Sequence, residues 1–150
     1  CGCKTILLDH LSIVVSGSEI DDERKALDVI MTKLASLATE LKVRLLVVAH
    51  LKRVDGVCHT EGGQISLNHL RGSASLEQLS FVIVGFERNQ QDKEKSNFTT
   101  VRLLKNRWTG DLGEAGILEY DKKTGRLTEV IDNPFEEKQN ARSNVEDAPF

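Results

Sequence analysis

The chain has 150 residues, of which 39% are hydrophobic and 29% charged, with a net charge of −3. That length makes one domain and buries a sizeable core, and the composition excludes both a membrane protein and wholesale disorder. The charge is split: residues 129–150 carry six acids and two bases, leaving the first 128 residues at +1. A nearly neutral body with an acidic end points to an interaction tail rather than a nucleic-acid-binding arm.

No run of 18 apolar residues and no signal-peptide pattern occurs, so a soluble protein is expected. Three cysteines, two of them only two positions apart, argue for free thiols in a reducing compartment, hence a cytoplasmic setting. The chain lacks an initiator Met and enters a strand almost at once, so it reads as a piece of a longer protein.

Residues 4–8 are mostly apolar and predict a strand buried on both faces, the pattern of a parallel sheet. Apolar residues from Ala26 to Leu41 recur at three- and four-residue steps and predict a helix over 21–42. Ser18 and Asp21 resemble a capping box at its start. Residues 43–49 predict a second strand, so 4–49 form a right-handed βαβ unit. Residues 50–68 are polar and aperiodic and predict a long, mobile surface loop, a length usually kept for function.

A short helix over 73–80 and strands over 81–86 and 98–105 follow, with glycine turns at Gly110, Gly113 and Gly116. Residues 117–120 and 126–130 bracket a turn and predict a hairpin. After Asp132 the apolar content falls, which predicts a disordered acidic tail over 132–150 behind a folded unit over 1–131.

Four places carry candidate chemistry. Asp9 ends an apolar strand, where open α/β sheets bind ligands and where a carboxylate suits Mg²⁺; taken alone the signal is weak, since many strands end in Asp simply to start a turn. His50 ends the next strand and is either a second contact to the same ligand or a loop histidine. Arg71, Gly72 and Ser73 form either a phosphate-favouring approach to a helix or an ordinary cap beside a surface arginine. Lys105 and Arg107 lead into a glycine turn, either reaching a phosphate across a subunit boundary or lying solvated; Arg88 shares the ambiguity. No Gly-x-x-x-x-Gly-Lys-Ser/Thr loop, zinc spacing or Gly-x-Ser-x-Gly elbow is present.

Taken in order, Ile6-Leu7-Leu8-Asp9-His10, Val47-Val48-Ala49-His50-Leu51, His69-Leu70-Arg71-Gly72-Ser73, Phe86-Glu87-Arg88-Asn89-Gln90 and Lys105-Asn106-Arg107-Trp108-Thr109-Gly110 resemble one family. It is the RecA-like, DnaB-class domain of hexameric replicative DNA helicases, most of all its phage primase-helicase branch. The resemblance spans about residues 4–130 and implies the C-terminal part of a RecA-like α/β core, a mostly parallel sheet with flanking helices and a final antiparallel hairpin. It implies a ring-shaped hexamer that hydrolyses ATP or dTTP with Mg²⁺ and unwinds duplex DNA by moving along single-stranded DNA.

The resemblance also implies residue roles. Asp9 matches the Walker B aspartate that supports Mg²⁺, and His50 the γ-phosphate sensor. Arg107 matches the arginine finger for the adjacent subunit's nucleotide, with Arg88 a second basic residue near that boundary. Tyr120 matches an aromatic that stacks near the base. Lys52, Arg53, Arg71 and Gly72 resemble the DNA loops of the central channel, and Gln78 a coupling residue. The tail, with Glu146, Asp147 and Phe150, resembles the segment through which such helicases meet the replicative DNA polymerase and the single-strand binding protein. The Walker A loop is expected upstream of Cys1, so residues 1–150 alone are expected to lack ATPase activity. Other readings are a RecA-like recombinase or clock-type ATPase, and a non-catalytic polymerase-binding module.

Overall fold

Each of the two apolar runs near the start becomes a short strand in the computed structural model, which describes residues 2–17, 20, 22–52, 59–70, 74–131 and 133–135. Strand β1 is Thr5–Leu8 and β2 is Arg44–Val47. They pair in parallel, with Thr5 opposite Arg44 and Leu8 opposite Val47. Between them lie helix α1, Leu11–Ser16, and helix α2, Glu23–Leu41.

Helix α2 starts where Asp22 accepts the amide hydrogens of Arg24 (2.9 Å) and Lys25 (3.3 Å). These amides have no partner inside the helix, and such a cap stabilises by about 1 kcal/mol. The cap is therefore Asp22; the expected pair, Ser18 and Asp21, lies outside the described residues. The helix ends at Lys42, which takes the left-handed conformation (φ 53°) and donates its amide to Ala38 and Thr39. Its inner stripe, Leu27 and Met31, joins Leu11 and Leu76 in the buried core, each worth about 1.5–3 kcal/mol by burial. Leu37 and Leu41, also on the expected apolar stripe, are exposed.

A second sheet holds β3 (Val82–Glu87), β4 (Phe98–Asn106), β5 (Gly113–Asp121) and β6 (Arg126–Val130). All its neighbours are antiparallel, in the order β3-β4-β5-β6. The α/β class and the final hairpin stand, but the expectation of a mostly parallel sheet is corrected: parallel pairing is confined to β1 and β2 among the described residues. Connections of ten, six and four residues join these strands. A parallel crossover needs a dozen or more, so the chain must turn straight back. Gly113 and Gly116, expected in turns, lie within β5 beside a register shift at Val101/Arg102.

Strand β1 is not buried on both faces, since exposed and half-buried residues alternate along it and Leu7 is 66% exposed. The long polar segment is anchored at its far end. A short 3-10 turn spans Leu67–His69, Leu51 bridges Leu70, Glu61 bridges Asn89, and Ile65 is buried. Helix α3, Ala74–Leu79, packs on α2 and carries core residue Leu76. The start of the expected tail lies against the body: Phe135 meets the Phe98 ring edge-on at 6.3 Å, and the Lys95 ammonium sits 4.9 Å from its centroid. Residues 136–150 lie outside the described residues. Among the described residues no helix is long and apolar enough to cross a membrane.

The β5–β6 turn depends on a carboxylate. Asp121 accepts the Thr124 hydroxyl (2.7 Å) and the Lys123 amide (2.8 Å). The Thr124 hydroxyl foremost, then the Lys123 and Thr124 backbone amides, hold its pKa below the usual carboxylate value against the opposing effect of desolvation. A lowered folded pKa stabilises above the unfolded value and is lost as pH falls through the folded one. The turn is expected to fray on acidification, read as faster amide exchange in β6, and Asp121→Asn to flatten that pH dependence. An unchanged dependence in the variant would refute the assignment.

Candidate nucleotide and DNA site

The two parallel strands deliver their ends to one place. Beyond the ladder, the Val48 amide donates to the Leu8 carbonyl (2.9 Å) and the Leu11 amide to the Val48 carbonyl (3.0 Å). Residues 9–10 and 49–50 therefore leave side by side. The His10 and His50 rings meet with centroids 4.1 Å apart. Asp9, next to His10, is exposed and makes no hydrogen bond or ion pair among the described residues. An uncommitted carboxylate at the carboxyl end of a strand is a hard oxygen donor, and it fits Mg²⁺ held in part through water. No group of three metal-ligating side chains occurs among the described residues. His10 was missed in the sequence; its Nδ1 is buried without a partner among the described residues, and its only signal was the step after Asp9.

From His50 the chain passes directly to the expected DNA-contacting segments. Leu51 bridges Leu70, and the Lys52 amide donates to the His69 carbonyl (2.9 Å). Lys52 is exposed. The expected contacts Arg53, Arg71 and Gly72 lie outside the described residues, as do Glu146, Asp147 and Phe150. The Leu51–Leu70 pairing thus begins one residue after His50.

The remaining residues stand on the antiparallel sheet and on α3. The Arg88 Nε donates to the Ser96 carbonyl (2.6 Å), which lays the guanidinium 5.7 Å from the Tyr120 centroid. The Tyr120 amide donates to the Asn97 carbonyl (2.8 Å). A flat cation and an aromatic ring, each held through its neighbours, make a surface that can stack on a planar base.

Arg107 is exposed on the turn after β4. Its guanidinium does not project freely. It donates to the Gln78 carbonyl and lies 5.5 Å from the Phe81 centroid. Gln78 itself is exposed on α3.

The sequence reading also missed a buried ion pair. Glu87 accepts from Arg102 at 2.7 and 3.0 Å and from the Ile65 amide at 2.7 Å. The Glu87 hydrogen bond foremost, with the charges of Glu87 and Glu114, raises the Arg102 pKa against the opposing effect of burial.

The parallel strand pair thus brings a carboxylate and a histidine to one end, and an exposed arginine stands on the turn after β4. The chain belongs to the DnaB-like helicase C-terminal domain family, whose model matches residues 1–129. It is 52% identical over 127 residues to the DNA helicase/primase of Enterobacteria phage T3, covering 84% of this chain and 22% of that relative. The chain therefore spans about a fifth of that protein's length. Its fold matches a solved DnaB-like replicative helicase, described with its interactions with primase, at a TM-score of 0.70. That match has 24% identity and covers 85% of this chain and 30% of that one.

Proposed function

We propose that this chain is the nucleotide-sensing, DNA-engaging part of a replicative DNA helicase whose complete protein forms a ring, hydrolyses ATP or dTTP at subunit boundaries and draws single-stranded DNA through its centre. The observation that carries this reading is the continuity from Asp9 and His50, at one strand end, into the Leu51–Leu70 bridge. A histidine beside the phosphate site and two segments aimed at DNA then form one mechanical piece.

In this reading Asp9 holds Mg²⁺ with the nucleotide phosphates, and the metal when bound neutralises their charge. His50 contacts the γ-phosphate and shifts when it leaves, which moves Lys52 with it. Lys52, Arg53 and Arg71 follow backbone phosphates without reading bases, as strand-tracking requires. Tyr120 and Arg88 stack against the base. Arg107 acts on the nucleotide of the neighbouring protomer. The acidic tail, through Glu146, Asp147 and Phe150, meets the replicative polymerase and competes at the single-strand binding protein.

The test is forked-duplex unwinding by the complete protein carrying Asp9→Asn. Metal-held charge stabilisation is worth several kcal/mol, so the rate is expected to fall about a hundredfold or more. Single-strand binding should persist. Unwinding at the unaltered rate would remove this reading.

A further inference from the structure

We propose that Phe81 is a positioning residue for Arg107: its ring and the Gln78 carbonyl form a cradle that sets the direction of the guanidinium before a neighbouring protomer arrives. The inference rests on the reading of Arg107 as the arginine supplied across a subunit boundary.

An arginine on an exposed turn carries about 2 kcal/mol of rotamer entropy, and a group that acts on a transition state must be held in place. Arg107 is held at three points. Its amide donates to the Phe81 carbonyl at 2.9 Å, which fixes the backbone. Its guanidinium carbon lies 5.5 Å from the Phe81 centroid, within the roughly 6 Å reach of a cation–π contact. Its Nη2 donates to the Gln78 carbonyl near the end of α3, where carbonyls have no partner inside the helix. Lys105 takes the adjoining Glu77 carbonyl in the same way.

The ring's exposure needs an explanation. Phe81 is 57% exposed among the described residues, so the ring is not part of the buried core. Among the described residues its ring meets the Arg107 guanidinium and the Trp108 ring, the latter stacked at 6.2 Å and itself 76% exposed. The cradle engages one guanidinium hydrogen among the described residues and leaves the others for an anion. That is the state of a finger aimed in advance.

Three variants of the complete protein test this: Phe81→Leu, Phe81→Tyr and Arg107→Ala, each measured for NTP turnover (kcat and KM) and for ring assembly by sedimentation. Phe81→Leu is expected to lower kcat roughly two- to fivefold, the size of an exposed cation–π contact, with KM and assembly unchanged. Phe81→Tyr keeps an aromatic face and should restore kcat. Unaltered or raised kcat in Phe81→Leu overturns the proposal, as does a Phe81→Tyr loss equal to that of Phe81→Leu. Failure of Phe81→Leu to fold or assemble also overturns it, because the ring would then serve packing. Normal turnover in Arg107→Ala instead removes the finger reading itself. An inactive Arg107→Ala beside a fully active Phe81→Leu removes the cradle alone.

Discussion

Arg107→Ala in the complete protein is expected to lower NTP turnover by about 10³–10⁵-fold, the range of arginine fingers in GTPases, while nucleotide binding stays close to normal. The asymmetry follows from when the charge is needed. Phosphoryl transfer spreads negative charge over the equatorial oxygens as the bond to the leaving group loosens, and a cation met at that stage acts on the transition state more than on the bound ground state. Binding draws on other groups of the site, with Asp9, Tyr120 and Arg88 proposed among them, and these are untouched. Loss of folding is not a competing cause. Arg107 is exposed and its contacts, a helix-end carbonyl and a half-exposed ring, lie on the surface, where substitutions cost within about 0.5 kcal/mol. Turnover is measured with single-stranded DNA present, and binding with a fluorescent nucleotide. Hydrolysis at the unaltered rate would remove the finger, and equal losses in binding and turnover would reassign Arg107 to the ground state.

Which features the sequence made legible depends on which physical signal each one leaves. Helix α2 was readable because nineteen residues hold five turns of one apolar stripe, from Ala26 and Leu27 through Met31. Helix α1 has six residues, too few to display a period, and was missed. The apolar run over 81–86 was located within one residue as β3, but the resemblance implied a mostly parallel sheet, whereas β3 pairs antiparallel with β4. An apolar run states that a strand is buried but not against what. The short connections on either side of β4 did carry the antiparallel answer. In β1 the same ambiguity produced an expected two-sided burial where Leu7 is open.

The candidate site divides along the same line. Asp9 and His50 were legible together because parallel strands with helical crossovers present the same end, so both residues had to emerge side by side. The Arg88–Tyr120 contact joins positions 32 apart, one just past the end of β3 and the other on β5, strands that are not neighbours in the sheet, so no local pattern announced it; only the resemblance placed both near a nucleotide. The same holds for the contact between Arg107 and Gln78. The sequence said that an arginine leaves a strand, and only the packing of α3 against the end of β4 shows where it rests.

Glu87→Ala is expected to destabilise the domain by about 3 kcal/mol, the low end for breaking a buried ion pair by removing one partner. The low end applies because Arg102 keeps 19% side-chain exposure and so reaches some water, whereas Glu87 keeps 9%. Two losses combine. Arg102 is left charged and under-solvated, since its guanidinium stays ionised at any pH that the fold tolerates. The Ile65 amide loses its 2.7 Å acceptor in a buried setting. Ile65 is itself 5% exposed and lies over Gly85, where a Cβ would meet its methyl groups at 3.4–3.5 Å. Removing Glu87 thus loosens the segment that runs on to Leu70 as well as the sheet. At about 2–4 °C per kcal/mol for a domain of this size, the melting point should fall by about 6–12 °C. Protection of the Ile65 amide from exchange should fall more steeply than that of β5. Glu87→Gln separates the two losses: its side-chain oxygen still accepts from Ile65, so amide protection should be largely kept while the melting point still falls. Pairing Glu87→Ala with Arg102→Met removes the stranded charge, and should recover part of the loss. A melting point within about 2 °C of the unaltered protein for Glu87→Ala alone would mean that water reaches this pair freely, and that the carboxylate does not tie Ile65 to β3.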